Sequence, residues 1–114
     1  MRDDHDRPED MLTAIDRILA KTAQGREAFE ADEMLQVWVL HHLQVIGEAA
    51  RCLSDDFRRQ HADKAWGKAA GMRNILVHRY LEIDAGQVWS VVEHDLRPLR
   101  PRVASILAAT DPTL

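Results

Sequence analysis

The chain has 114 residues and a mass of 13.0 kDa, so we expect one domain over residues 1–114 and no separate regulatory module. Hydrophobic residues make up 46% and charged residues 30% of the chain, a balance typical of packed globular proteins and not of disordered ones. The net charge of −4 argues against a protein that coats nucleic acid nonspecifically, because such binding needs many Lys and Arg contacts to phosphate.

No apolar run approaches the roughly 20 residues that a membrane-spanning helix needs, and Val37–Leu40 is among the longest. The N-terminus is polar and lacks the hydrophobic region of a secretion signal. The single Cys52 has no partner for an internal disulfide. We therefore expect a cytoplasmic protein with no membrane partner.

Apolar residues recur at helical spacing almost throughout, which predicts an all-α fold. The first helix is expected from about Arg7 to Ala23, with Asp6 and Glu9 as a capping-box-like start and Gly25 as its stop. The second and longest helix is expected from about Glu30 to Arg59. Its apolar seam follows three- and four-residue steps and consists of Leu35, Val39, Leu43, Ile46, Ala50, Leu53 and Phe57.

A third helix is expected from about Ala65, after a polar break, and it is rich in small residues. Gly67 and Gly71 are interpreted as positions of tight packing, and Gly47 in the long helix as a place where another backbone passes close.

The last helical region is expected to start near Asp84, with Gln87 three residues on. Pro98 and Pro101 predict a kink or a break near Arg97–Arg100, because proline cannot donate a backbone hydrogen bond. Together these elements predict an antiparallel bundle of four to five helices.

Charge is unevenly distributed along the chain. Residues 1–34 carry five basic and ten acidic side chains, whereas residues 58–79 carry six basic side chains against Asp63 alone. This basic segment is either a solvated helix face or a local anion site on an otherwise acidic body.

The motifs of several functional classes are missing from the sequence. There is no phosphate-binding glycine loop and no zinc-type spacing of Cys and His, so neither a cofactor nor a metal is expected. His41 and His42 point about 100° apart on a helix and cannot chelate one ion together. His5, His61 and His94 are interpreted as surface residues without an evident partner.

The segment from Gly71 to Tyr80 places Arg73, Asn74 and His78 beside a branched apolar wall. Imidazole can accept and donate a proton near pH 7, and guanidinium matches phosphate oxygens. These groups suit phosphoryl chemistry on a substrate that brings its own nucleophile. RNA brings its 2′-hydroxyl, which DNA lacks, so the segment favours metal-independent RNA cleavage.

Helix geometry adds a condition to this interpretation. Arg73 and His78 lie about 140° apart around an ideal helix, whereas Tyr80 lies almost above Arg73. Either the helix ends or distorts before His78, or a second copy of the chain brings its own pair to the same cleft. A two-fold dimer would also supply the second proton-transfer group.

The spacing Arg-x4-His-x-Tyr at Arg73, His78 and Tyr80 resembles the signature of the HEPN superfamily. The resemblance to its HepT-like branch is closer, since it extends to residues 43–51, 66–74 and 88–96 and so covers most of residues 10–100. It implies a small helical bundle that works as a homodimer, with the motif lining the dimer cleft.

The resemblance also implies roles for individual residues. Arg73 and His78 would be the ribonuclease residues, with Asn74 as a supporting polar group. The family's toxins pair with a minimal nucleotidyltransferase antitoxin that attaches AMP to the motif tyrosine, which would be Tyr80 here. The resemblance thus predicts an endoribonuclease toxin with RNA as substrate.

Two points leave alternatives open. The chain has His41-His42 where the family often has an Arg-Asn pair, so partner contacts or substrate handling on this helix can differ. A matching fold can also have lost its chemistry. The second hypothesis is therefore a non-catalytic helical dimer that binds a nucleotidyltransferase and serves as its AMP acceptor.

Overall fold

The computed structural model describes residues 6–61, 65–72 and 84–110, and every regular element in these ranges is helical. This confirms the all-α prediction. In chain order the elements are α1 (Asp6–Lys21), α2 (Arg26–Glu30), α3 (Glu33–Arg51), α4 (Asp55–Gln60), α5 (Ala65–Gly71), α6 (Ala85–Ser90), a π-helical segment (Val91–Leu96) and α7 (Arg97–Thr110).

α1 ends two residues earlier than predicted, and a short turn then leads to Gly25. The Thr22 hydroxyl donates to the carbonyl of Ile18 at 2.7 Å, which closes the last turn of the helix. Gly25 has φ of +99°, a backbone conformation that favours glycine, and it serves as the N-cap of α2. The chain can therefore reverse here within a few residues.

The predicted helix from Glu30 to Arg59 is wrong, because the structure divides this range at two capping residues. Asp32 caps α3 by accepting a hydrogen bond from the Leu35 amide at 3.0 Å. Ser54 caps α4 by accepting one from the Phe57 amide at 3.1 Å. Each cap satisfies a backbone donor that a new helix would otherwise leave unpaired, so each marks a break.

The apolar seam predicted for this range nevertheless faces the core across the breaks. Leu35 is half-buried, and the other six seam residues are buried, from Val39 through Phe57. The core is completed by Ala49 of α3, by Met72 just after α5, and by buried apolar residues of α1, α2, α5, α6, the π-helical segment and α7: Met11, Ala14, Ile15, Ile18, Phe29, Trp66, Ala69, Val88, Trp89, Val91, Val92, Leu96, Leu99 and Val103.

The irregularity in the last helical region lies before Pro98, not at the predicted range Arg97–Arg100. Residues Val91–Leu96 form a π-helical segment, and the Arg97 amide donates to the carbonyl of Val92, five residues back. In a regular α-helix, the ring of Pro98 would meet the carbonyl of the residue four positions earlier. The wider turn of the π-helical segment ends two residues before Pro98. α7 then continues through Pro101 without a break.

α7 is also tied to α1 by an ion pair. The Arg100 guanidinium donates to the Asp16 carboxylate at 2.7 Å through Nε and at 3.4 Å through Nη2. This hydrogen bond and the charge of the carboxylate raise the pKa of Arg100 above its ordinary value. No helix in the described part of the chain is long and apolar enough to cross a membrane.

Candidate functional site

The predicted site residues Arg73, Asn74, His78 and Tyr80 lie outside the described residues, which stop at Met72 and resume at Asp84. Their assignment therefore stays a prediction. The structure does describe the two ends that carry this segment, and it describes the basic residues that precede it.

The segment is entered from α5, whose end is anchored in the core. Met72 is 1% exposed, and its amide donates to the carbonyls of both Lys68 and Ala69 at 3.2 Å. Ala69 is also fully buried. Arg73 therefore follows directly on a residue whose backbone and side chain are both fixed.

The start of α5 is held against α4. The indole nitrogen of Trp66 donates to the carbonyl of His61 at 2.7 Å. The ring of Phe57 contacts two other rings, with its centroid 4.7 Å from that of His61 and 5.9 Å from that of Trp66. His61 is thus a packed residue and not the isolated surface histidine that the sequence suggested.

The glycines of α5 were predicted to be positions of tight packing. Among the described residues, a Cβ atom added at Gly67 or at Gly71 would meet nothing within 4 Å. Gly67 is exposed and Gly71 half-buried. The described residues therefore give no support to the prediction of tight packing at these two glycines, and the buried side chains of α5 are those of Trp66 and Ala69.

The segment leaves into α6, which begins as predicted. The Asp84 carboxylate accepts a hydrogen bond from the Gln87 amide at 3.1 Å and caps the helix. α6 is then fixed to α2 through the rings of Phe29 and Trp89, whose centroids lie 5.6 Å apart. Met72 and α6, which stand on either side of residues 73–83 in the sequence, are therefore attached to the folded core.

Three of the six basic side chains in residues 58–79 are described, and each already has a protein partner. Arg58 donates through Nη2 to the carbonyls of Ala50 and Arg51, at 2.9 and 2.8 Å, and so caps the C-terminus of α3. Arg59 pairs with Asp56 on the surface. These two arginines support α4, so the basic segment is in part structural.

The third described member, Lys68, links α5 to the π-helical segment. Its ammonium lies 3.8 Å from the carboxylate of Asp95, with both side chains partly exposed. Such a pair contributes little to stability, about 0–1 kcal/mol, but it joins the helix before the predicted site to the element after it. His94 lies on the same π-helical segment, and its Nδ1 is 3.1 Å from the carbonyl of Ser90, so it too has a partner.

A groove that the sequence did not predict lies between α1 and α3. It has a volume of about 300 Å³ and is lined by Arg7, Asp10, His41, Gln44, Val45, Glu48 and Ala49. On its rim, Arg51 donates to Glu48 at 2.9 Å. This hydrogen bond and the charge of Glu48 raise the pKa of Arg51. In the sequence, the only indication of this groove is the set of polar residues on the side of α3 opposite the seam, which includes His41, Gln44 and Glu48.

The two adjacent histidines of α3 have different surroundings. His41 is exposed and lines the groove. His42 is buried, its Nδ1 lies 2.9 Å from the carbonyl of Trp38, and its ring centroid lies 4.1 Å from that of Trp38. The two rings meet edge to face, with their centroids 5.3 Å apart. In residues 6–61, 65–72 and 84–110, no group of three or more His, Cys, Asp or Glu side chains is arranged to hold a metal.

Comparison with known proteins gives a family. The family described as "Ribonuclease HepT-like" matches residues 11–106, which include the whole of residues 73–83. The chain belongs to the HepT-like ribonuclease family. The predicted resemblance is thereby confirmed at the level of the family.

Individual relatives agree with this family. The HepT-like chain is 34% identical over 93 residues to "Probable ribonuclease HepT" of Thermococcus cleftensis, which covers 81% of this chain and 84% of the relative. It is 35% identical over 75 residues to "Putative RNase MJ1380" of Methanocaldococcus jannaschii. This alignment covers 66% of the present chain and 69% of the relative. No solved structure gives a significant match to the chain.

Proposed function

We propose that the chain is a metal-independent endoribonuclease that acts as the toxin of a toxin–antitoxin pair, with His78 and Arg73 as its catalytic residues. One observation carries the proposal: the family match runs unbroken from residue 11 to residue 106 and therefore across the Arg-x4-His-x-Tyr motif. The anchored ends of the motif segment, at Met72 and Asp84, support it as well.

The chemistry needs only groups that the motif supplies. His78 accepts the proton of the RNA 2′-hydroxyl while the 2′-oxygen forms a bond to the adjacent phosphorus. Arg73 binds the non-bridging oxygens and stabilises the charge that develops on them. The bond from phosphorus to the 5′-oxygen then breaks, and that oxygen takes a proton from a second acid. The products are a 2′,3′-cyclic phosphate and a 5′-hydroxyl end. Asn74 is the supporting polar group.

The working unit in this proposal is a homodimer. On an ideal helix, Arg73 and His78 of one copy would diverge by about 140°, so one copy with a regular helix here would not complete the site. A second copy related by a two-fold axis supplies another His78, which serves as the acid for the leaving 5′-oxygen.

Regulation would act on Tyr80. We propose that a minimal nucleotidyltransferase antitoxin transfers AMP from a nucleoside triphosphate to the phenolic oxygen of Tyr80, with pyrophosphate as the leaving group. Tyr80 is the only tyrosine of the chain, so it is the only acceptor of this type. The added nucleotide would lie two residues from His78 and block RNA from the site.

The test uses the purified full chain and a labelled RNA in the presence of EDTA. Wild type should cleave the RNA and leave a cyclic phosphate end, whereas His78→Ala should lower the rate by about 10²- to 10⁴-fold, the usual contribution of an acid–base group. A substrate with one 2′-deoxy sugar at the cleaved position is the matched control, and it should resist wild type. Equal toxicity of wild type and His78→Ala when each is expressed alone would contradict the proposal.

The second candidate is the non-catalytic dimer that serves only as binding partner and AMP acceptor. The single tyrosine favours it as much as it favours the toxin, since either role requires one acceptor. No RNA cleavage by wild type, together with a mass increase of one AMP that Tyr80→Phe abolishes, would select this candidate.

A further inference from the structure

The groove between α1 and α3 combines an apolar floor with polar walls. The floor is formed by Val45, which is half-buried, and by Ala49, which is 3% exposed. The walls are His41, Gln44 and Glu48 from α3 and Arg7 and Asp10 from α1. From His41 to Glu48 the helix rises about 10 Å, at about 1.5 Å per residue. With a volume of about 300 Å³, the groove has room for a small flat molecule.

The charges around the groove are balanced. Asp10 and Glu48 are acidic, Arg7 is basic, and Arg51 on the rim donates to Glu48 at 2.9 Å. A bare phosphate would meet the two carboxylates, and a metal cation would meet the two guanidinium groups, so neither ion is favoured. The same side chains offer hydrogen-bond donors and acceptors, because carboxylates accept, guanidinium donates and an amide does both. The groove therefore favours a neutral molecule with polar edges.

His41 adds an aromatic ring that the protein supports from one side. Its ring meets that of His42 edge to face, with the centroids 5.3 Å apart. The His42 ring is in turn fixed by Trp38, whose ring centroid lies 4.1 Å away and whose carbonyl lies 2.9 Å from Nδ1. His41 itself is exposed. Because unpaired RNA bases stack on aromatic side chains, histidine included, His41 is suited to hold a flat heteroaromatic ring.

We propose that this groove binds an unpaired guanine base of the RNA substrate, with His41 stacked on the ring and Glu48 accepting from its edge. Guanine presents two adjacent donors there, N1–H and the N2 amino group, whereas each of the other bases presents one. A carboxylate accepts both donors, and the Gln44 amide can donate to the guanine O6. Glu48 keeps Arg51 as well, since a carboxylate has about four acceptor positions.

The inference rests on the proposed function for its polymer, RNA, and it adds the base that is recognised. The groove is formed by α1 and α3 and lies apart in sequence from the predicted catalytic residues. A guanine held in it fixes the position of the strand along the protein. It therefore determines which phosphate is cleaved, while proton transfer remains with the motif.

The first test measures affinity by calorimetry with the wild-type full chain. The probes are five-nucleotide RNAs with one guanosine, inosine or adenosine among uridines, and 2′-O-methyl groups prevent their cleavage. The guanosine strand should bind at least tenfold more tightly than the adenosine strand. Inosine should fall between them, because it lacks the N2 amino group. Equal affinities would overturn the inference.

Free GMP separates the two sources of a guanine ring. It should bind more weakly than the guanosine strand, because it lacks the neighbouring nucleotides. GMP that binds as tightly as the strand would show that a free nucleotide is the ligand, and RNA would be overturned as the source.

The second test replaces the carboxylate that reads the edge. Glu48→Gln should weaken binding of the guanosine strand at least tenfold and leave that of the adenosine strand unchanged. The matched control is Arg51→Ala, which removes the same ion pair but keeps the carboxylate. It should retain the preference for guanosine. Loss of the preference in Arg51→Ala as well as in Glu48→Gln would overturn the role of Glu48.

The third test concerns the ring. His41→Ala should weaken all three strands at least fivefold, since stacking does not depend on the base, and His41→Phe should restore most of the affinity. His94→Ala, at an exposed histidine of the π-helical segment, is the control and should bind like wild type. Unchanged binding by His41→Ala would rule out the stack. Guanine-selective binding by a chain that cleaves no RNA would contradict only the proposed function, whereas cleavage without any preference for guanine would contradict only this inference.

Discussion

The two sides of α3 show different uses of apolar residues. On the inner side, Val39, Leu43 and Ile46 are fully buried by the chain's own helices. On the outer side, Met34 and Val37 remain open to solvent. The inner residues repeat at three- and four-residue steps, and the outer ones interrupt an otherwise polar surface. Burial inside one chain therefore accounts for the seam, while the outer residues point to contact with another molecule.

The largest expected effect lies in the middle of the inner side. Leu43→Ala should lower the free energy of unfolding by about 2–5 kcal/mol, because it removes buried methyl groups and leaves a cavity. Urea denaturation of the purified variant measures this. Leu43→Met, which keeps the volume, should cost less than about 1.5 kcal/mol. If the two variants were equally stable, the inner side would not be closely packed at Leu43.

The next effect lies at the C-terminal end of α3. Arg58→Ala should lower the free energy of unfolding by about 1–3 kcal/mol, since the carbonyls of Ala50 and Arg51 lose a charged donor. The matched control is Arg59→Ala, whose side chain is 74% exposed and whose ion pair with Asp56 should contribute less than about 1 kcal/mol. A larger cost for Arg59→Ala would show that the end of α3 is not held by Arg58.

A smaller effect is expected at the other end of α3. Asp32→Ala should lower the free energy of unfolding by about 1 kcal/mol, because the Leu35 amide loses its acceptor. Asp32→Asn, which keeps an acceptor oxygen, should restore most of the loss. Thermal unfolding followed by circular dichroism would show this order, and equal losses in both variants would count against the cap.

The smallest effect on the isolated chain is expected on the outer side. In dilute solution Val37→Asp should change the free energy of unfolding by no more than about 0.5 kcal/mol, as is usual for exposed positions. Thermal unfolding followed by circular dichroism should give wild type and Val37→Asp nearly the same midpoint, in contrast to Leu43→Ala. A loss of stability in Val37→Asp as large as that in Leu43→Ala would remove the distinction between the two sides of α3.

Much of the fold could be predicted because helix burial follows a local period. The seam from Val39 to Phe57 was found from spacing alone, and all of it faces the core. The breaks in this range were missed, although Asp32 and Ser54 are typical N-cap residues, because the seam continues across both of them. The π-helical segment before Pro98 was not predicted, since its hydrogen bonds depend on how the helix accommodates the proline ring.

The candidate site, unlike the fold, was predicted from residue chemistry and family resemblance and not from helical periodicity. Arg73, His78 and Tyr80 were singled out by their chemistry and by a family resemblance, and the family is confirmed. The groove beside His41 was not predicted, because it is formed by residues of α1 and α3 that are distant in sequence. Sequence reasoning also counted Arg58 as one of the basic side chains of residues 58–79, since spacing does not show that it caps a helix.

The position of Arg58 has a consequence for the salt dependence of RNA affinity. The Nη2 atom of Arg58 already donates to the carbonyls of Ala50 and Arg51. Arg58 is therefore not expected to bind a phosphate and displace a counterion from the RNA. For single strands the logarithm of affinity falls with the logarithm of salt by about 0.7 for each phosphate neutralised. Titration with potassium chloride should therefore give a shallower slope than the number of basic residues in 58–79 suggests.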